Sequence, residues 1–134
     1  MVDQEINRLY ESAKTELEKA KEEMSRPSHD VVTYAVCAPT RQAMLEFLKC
    51  LYLHYAKQNN SVSDEQLTID DFIAYCSKYD EEIKQMDFSP LYCQKKDMHD
   101  DNEILFCNDI GQVESCNKLA EKIEAVVKKR LSKL

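Results

Sequence analysis

Three charged residues lie within an otherwise apolar stretch of the chain and are the first candidates for chemistry. Arg41, Glu46 and Lys49 belong to the segment 40–56, whose residues from 47 onward are mostly apolar. A helix that is apolar on nearly every side is usually a central helix, and charged side chains beside it must pair, extend to solvent or line a cleft. The sequence leaves two alternatives open: a cleft that binds a ligand, or an intrahelical pair of Glu46 with Lys49.

Two histidines are candidates for acid–base chemistry. His54 lies on the same apolar segment, where a histidine can titrate near neutral pH but more often bonds to a neighbouring side chain. His99 follows Lys95 and Lys96 in the polar segment 94–104. The acidic residues around His99 lack the glycine and the spacing of a calcium-binding loop, so we predict a solvated loop there.

The cysteines and tyrosines favour structural roles. The six cysteines contain no Cys-x-x-Cys pair, and several fall at core-facing helical positions. We therefore predict reduced, buried thiols, no metal site and no cofactor. The tyrosines Tyr34, Tyr52, Tyr55, Tyr75, Tyr79 and Tyr92 are of a type that stacks on nucleobases, but no basic surface surrounds them in the sequence. Packing in the core or at an interface is therefore the favoured interpretation.

Composition and charge limit the class of protein. One glycine and three prolines in 134 residues indicate helices with short connections, and the length suits a single domain, residues 1–134. No apolar run approaches the roughly 20 residues that span a membrane, and the first residues do not resemble a signal peptide, so we expect a cytoplasmic protein with no membrane contact. Residues 61–104 hold 12 acids and 4 bases, a net charge of −8. This acidity disfavours nonspecific nucleic-acid binding over most of the surface.

Apolar spacing of three and four residues predicts an all-α fold, an up-and-down bundle of four main helices plus one or two short helices. The first helix covers 4–26, and the second runs to about 57 with Pro39 inside it. A capping box at Thr68 to Asp71 starts a short helix, and one or two further turns follow within 79–86. Gly111 predicts a turn before the last helix, 112–131.

Four segments, in order, resemble the HEPN family, named for nucleotide-binding domains of higher eukaryotes and prokaryotes. Residues 12–20 resemble a helix of that family. Arg41-Gln42-Ala43-Met44-Leu45-Glu46-Phe47-Leu48-Lys49 is similar to the family's Arg-Gln-Ala-x-Glu-x-x-Leu-Lys pattern with shifted spacing. Residues 67–72 resemble the segment after the family's second helix, and 116–123 resemble its last helix. The resemblance implies that Arg41, Glu46 and Lys49 bind an anionic ligand.

Catalytic HEPN proteins are metal-independent ribonucleases with an Arg followed after four to six residues by a His. None of the chain's arginines has a histidine at that distance downstream. His99 stands near the expected place, preceded by Lys95 and Lys96, and lysine lacks the bidentate phosphate fork of arginine. We therefore predict no catalytic residues; a degenerate ribonuclease that uses His99 with Lys95 or Lys96 is the alternative.

The resemblance thus implies a non-catalytic HEPN-like binding domain of a defence or stress system, similar to a toxin–antitoxin component. Its ligand would be a nucleotide, an RNA or a partner protein, and a nucleotidyltransferase-type protein would be the partner. By the same analogy the chain forms a homodimer. A helical protein-interaction module without a small ligand is the remaining alternative.

Overall fold

The computed structural model describes residues 2–27, 33–60, 67–92 and 110–131, and within these ranges it contains helices and no β-strand. The helices are α1 (Val2–Met24), α2 (Thr33–Gln58), α3 (Ile69–Tyr79), α4 (Glu81–Gln85) and α5 (Ile110–Arg130), and a 3₁₀ turn covers Ser89–Tyr92. This confirms the predicted all-α fold class. None of the described helices is both long enough and apolar enough to cross a membrane.

Helix α2 is the centre of the structure, as its all-round apolarity predicts. It packs against α1, α3 and α5, and Phe47, Leu48, Cys50 and Leu51 are fully buried between these neighbours. Pro39 lies inside α2 and does not start a new helix. Three helices cover most of the surface of α2. Its charged residues Arg41, Glu46 and Lys49 lie where this cover is incomplete, and all three are half-buried.

The first and last helices contribute one apolar face each. Along α1 the buried positions are Ile6, Leu9, Tyr10, Ala13, Leu17 and Ala20. Along α5 they are Val113, Cys116, Leu119, Ala120, Ile123, Val126 and Val127. Both series follow the spacing of three and four residues that places side chains on one helical face, so these two helices bury their predicted stripes.

Side-chain caps at Thr68 and Asp80 fix the ends of the short helices α3 and α4. Thr68 caps α3: its hydroxyl accepts a hydrogen bond from the Asp71 N–H, and the Asp71 carboxylate accepts one from the Thr68 N–H. Asp80 ends α3 and begins α4, and its side chain accepts hydrogen bonds from the backbone N–H groups of Glu82 and Ile83. Because each capped N–H would otherwise lack an intrahelical partner, the ends of α3 and α4 are determined locally by these three residues.

A buried polar contact joins α2 to α5. The Asn117 side-chain amide donates to the Thr40 hydroxyl at 3.3 Å, and both residues are almost fully buried. Among the described residues no buried side-chain nitrogen or oxygen lacks a hydrogen-bond partner. This satisfied interior is typical of a well-specified core.

Candidate functional site

The three residues that the resemblance assigns to a ligand site all belong to α2, but they do not form one cluster. Arg41, Glu46 and Lys49 are all half-buried. The Glu46 carboxylate accepts hydrogen bonds from the Ser12 hydroxyl of α1 at 2.9 and 3.0 Å. Within the described part of the chain Glu46 therefore connects α2 to α1 and forms no ion pair with Lys49.

The spacing of the two cations limits the ligand that they can share. Arg41 and Lys49 are eight residues apart, which is about 12 Å along a helix axis at 1.5 Å per residue. A single phosphate is too small to contact both side chains unless each of them extends toward it along α2. The Glu46 carboxylate also lies between them in the sequence and opposes an anion there. The anion site at Arg41, Glu46 and Lys49 remains a prediction, and its geometry suits an extended ligand better than a compact one.

His54 makes local contacts at the carboxyl end of α2. Its Nε2 lies 3.4 Å from the side-chain nitrogen of Gln58, and its ring contacts the Tyr55 ring edge-on at a centroid distance of 5.0 Å. Burial lowers the pKa of His54 below its ordinary value, and the nearby charges of Lys57 and Arg130 lower it further. These contacts match the interpretation of His54 as a histidine that bonds to its neighbours.

The candidates of the ribonuclease alternative, Lys95, Lys96 and His99, lie outside the described residues, as does the acidic segment 97–103. Within residues 2–27, 33–60, 67–92 and 110–131, no three His, Cys, Asp or Glu side chains are grouped closely enough to hold a metal ion.

Four of the six cysteines are described, and all four are buried and outside any disulfide bond: Cys37, Cys50, Cys76 and Cys116. The Cys50 thiol donates to the carbonyl of Ile6 at 3.4 Å, and the Cys76 thiol donates to the carbonyl of Leu48 at 3.8 Å. Burial raises the pKa of each of these two thiols to about 12. They are therefore protonated at neutral pH and lack the thiolate that a nucleophile needs.

A buried carboxylate joins three helices at one end of the bundle, and sequence reasoning did not identify it. The Asp80 side chain is inaccessible to solvent and accepts the Tyr55 hydroxyl of α2 at 2.7 Å. The Arg130 guanidinium of α5 donates to both of its oxygens, at 2.8 Å from Nε and 3.3 Å from Nη2. We call Tyr55, Asp80 and Arg130 the Asp80 junction.

The electrostatics of the Asp80 junction favour the ionised carboxylate. Burial raises the pKa of Asp80, but hydrogen bonds from Arg130, Tyr55 and the Ile83 N–H outweigh it, so the pKa lies below its ordinary value. Burial and the bond to Asp80 raise the pKa of Tyr55 to about 12. At the surface beside the junction, Lys129 pairs with Glu82 at 2.6 Å. The junction is therefore an internally paired contact between α2, α5 and the start of α4.

Next to this junction the aromatic residues reach the surface. Tyr79 is 47% exposed, and its ring stacks on that of Tyr55 at 5.8 Å with an interplanar angle of 23°. The half-buried Tyr75 contacts Tyr79 at 5.2 Å and packs edge-on against Tyr52 at 5.0 Å. The Lys78 ammonium lies 6.0 Å from the centroid of the Tyr75 ring.

One flank of α3 combines these rings with two charges. Asp71, Tyr75, Lys78 and Tyr79 occupy positions i, i+4, i+7 and i+8, which share one side of a helix. We call these four residues the tyrosine surface. The sequence predicts that the tyrosines pack in the core or at an interface. Tyr52 and Tyr55 are buried in the core, as predicted. The sequence gives only a weak indication that Tyr79 is exposed, because its exposure depends on how the end of α3 packs against α2.

Comparisons with models of known protein families, with curated protein sequences and with solved structures gave no match to this chain.

Proposed function

We propose that this chain is a non-catalytic helical binding domain that binds another polypeptide at the tyrosine surface. The observation that carries the proposal is the exposure of Tyr79, 47% of its surface, while its ring is held in place by Tyr55 and Tyr75. Aromatic anchors of this kind dominate binding energy at protein interfaces. A ring fixed before binding also loses little conformational freedom when a partner covers it.

The charges near Tyr79 favour a polypeptide over a nucleotide or an RNA. Asp71 and Lys78 balance each other on the tyrosine surface, and the segment 61–104 as a whole is acidic. Nucleic-acid surfaces that stack bases on aromatic rings combine them with a positive groove along the backbone. The tyrosine surface has the rings and lacks an excess of cations among its four residues.

The described ionisable groups also support a binding role. Asp80, Tyr55, Cys50 and Cys76, whose pKa values are displaced from the ordinary ones, are buried in contacts with other parts of the chain. Shifted groups of a catalytic site usually face a cleft where a substrate can reach them. These four stabilise the fold, and we assign them no chemical role.

The wider biological assignment rests on the HEPN resemblance alone. On that basis we propose a homodimer in a defence or stress system, with a nucleotidyltransferase-type protein as a further partner. A cytoplasmic location belongs to the same proposal.

The experiment is quantitative affinity capture from the organism's own cells with three forms of the chain. Tyr79→Ser removes the exposed ring, and Gln85→Ser is the matched control because Gln85 is exposed on the neighbouring helix α4. We expect specific proteins to be recovered with the wild type and the control and to fall about tenfold with Tyr79→Ser, as loss of an anchor residue predicts. Equal recovery with all three forms contradicts the proposal.

A nucleic-acid result has a distinct signature. RNA or nucleotide that is recovered with Tyr79→Ser but lost with Arg41→Ala and Lys49→Ala would replace this proposal with ligand binding along α2.

A further inference from the structure

We infer that the occupant of the tyrosine surface is a second copy of this chain, with the two α3 helices antiparallel about a two-fold axis near Tyr75. The inference rests on the proposed function, because it names the polypeptide that covers Tyr79. It adds an orientation and a set of paired residues, and each of these can be tested separately.

The order of charges along the tyrosine surface carries the inference. Asp71 lies one turn before Tyr75, and Lys78 lies about one turn after it. In a contact with two-fold symmetry, a residue pair occurs twice. If one residue of the first copy faces a second residue of the other copy, the second residue of the first copy also faces the first residue of the other. An antiparallel pairing centred near Tyr75 therefore brings Asp71 of each copy opposite Lys78 of the other. A parallel pairing places like charges opposite each other.

The rings occupy the middle of this arrangement. Tyr75 lies at the axis, and Tyr79 of each copy lies opposite the end of α3 that carries Asp71 in the other. Lys78 already lies over the face of Tyr75 within one chain, 6.0 Å from its centroid, so a lysine can reach an aromatic face from this helix. In the dimer the same side chain has a carboxylate and ring faces of the second copy within its reach.

Helix α3 is held rigidly enough to present this surface. Phe72 and Cys76 of α3 are buried in the core of the bundle, the Thr68 capping box fixes the beginning of the helix, and the buried Asp80 fixes its end. The contact is therefore made between preformed surfaces and needs no refolding of either copy.

The size of the helix predicts a weak dimer. Helix α3 has 11 residues, about 16 Å of axis, and a specific interface buries roughly 1,200–2,000 Å² in total. A contact centred on one such helix lies at the low end of that range. We therefore expect a monomer–dimer equilibrium that depends on protein concentration and weakens with added salt.

Charge reversal with mixing is the test. Lys78→Glu makes both facing positions acidic, and Asp71→Lys makes both basic, so each variant alone should dimerise at least about tenfold more weakly than the wild type. An equimolar mixture restores two opposite-charge pairs and should form a heterodimer of near wild-type strength. Sedimentation equilibrium from about 10 µM to 1 mM measures the wild type, the two variants and their mixture. Lys84→Glu, an equal charge change at an exposed residue of α4, is the control and should dimerise like the wild type.

The mixing step separates the contact from an effect on folding. Asp71 also caps α3, so Asp71→Lys can destabilise the monomer, but a damaged monomer does not regain dimerisation when the oppositely charged variant is added. A wild type that stays monomeric at 1 mM overturns the inference, and so does a mixture that remains as weak as its components. In either case, Tyr79-dependent capture of a different protein leaves the proposed function standing, whereas loss of that capture as well contradicts both.

Discussion

Removal of the Asp80 carboxylate should destabilise the chain more than most single substitutions. In Asp80→Ala, α4 loses its N-cap, worth about 1 kcal/mol. The Arg130 guanidinium and the buried Tyr55 hydroxyl also lose their acceptor, and breaking a buried ion pair costs about 3–5 kcal/mol. Arg130 retains 28% exposure and can regain water, so we expect the broken pair to cost less than that range, about 2 kcal/mol, and the total loss of unfolding free energy to be about 3 kcal/mol. For a chain of this length that loss lowers the Tm by about 10 °C.

The measurement is urea unfolding followed by circular dichroism at pH 7 for Asp80→Ala, Arg130→Met and the double variant. Because both single substitutions remove the same contact, the double variant should lose clearly less than the sum of the single losses. Asp80→Asn keeps an oxygen that can accept from the α4 backbone N–H groups, so it should lose less than Asp80→Ala. A loss below about 1 kcal/mol for Asp80→Ala, or fully additive single losses, would refute a stabilising junction.

The junction also predicts how stability depends on pH. The folded-state pKa of Asp80 lies below its ordinary value, so its contribution is fully present above the ordinary value of about 4. That contribution is lost as the pH falls from there through the lower folded-state pKa. The unfolding free energy of the wild type should therefore fall more steeply than that of Asp80→Asn below about pH 4. Equal slopes would show that Asp80 is not the group responsible.

Four further outcomes are expected, three from the structure and one from the sequence. Leu48→Ala should cost about 2–5 kcal/mol in urea unfolding, because Leu48 is fully buried in α2; a loss under 1 kcal/mol would contradict its central position. Cys50 and Cys76, with pKa values raised to about 12, should resist iodoacetamide at pH 8 in the folded chain, whereas six thiols should react in denaturant. An NMR titration should give His54 a pKa below the ordinary value of about 6.5, since burial lowers it; a raised value would contradict these surroundings. The purified chain should leave a tRNA pool uncut, and cleavage that disappears in His99→Ala would instead establish the ribonuclease alternative.

The helical framework could be predicted from the sequence because the apolar spacing is regular. The stripes of α1 and α5 and the all-round apolarity of α2 each give one consistent periodicity, and the structure buries those residues. The capping box at Thr68 was readable for the same reason, since its partners are three residues apart. Local patterns of this kind need no knowledge of distant parts of the chain.

One local prediction was wrong. Gly111 suggested a turn before the last helix, but α5 begins at Ile110 and includes Gly111, and the structure describes no glycine with a positive φ. Glycine is tolerated in a first helical turn, where the buried face of the following residues outweighs its low helix propensity.

The Asp80 junction could not be predicted, because its members are distant in sequence. Asp80 and Arg130 are 50 residues apart, and each looks alone like an ordinary charge at a helix end. The exposure of Tyr79 likewise depends on the packing of α3 against α2. The pair of Glu46 with Lys49, one of two alternatives that the sequence left open, is not formed in the structure, where the Glu46 carboxylate accepts hydrogen bonds from Ser12 of α1.

Site-specific photo-crosslinking tests most directly whether the tyrosine surface is a protein-binding site. A benzophenone amino acid placed at Tyr79 keeps an aromatic ring at the surface, and the same amino acid placed at Ala125, exposed on α5, is the reference. After irradiation in the organism's own cells, we predict a discrete covalent adduct with a polypeptide from position 79, either a second copy of the chain or another protein, and none of that mass from position 125. Irradiated samples in which position 79 gives no adduct, or the same adducts as position 125, would contradict a binding role for this surface.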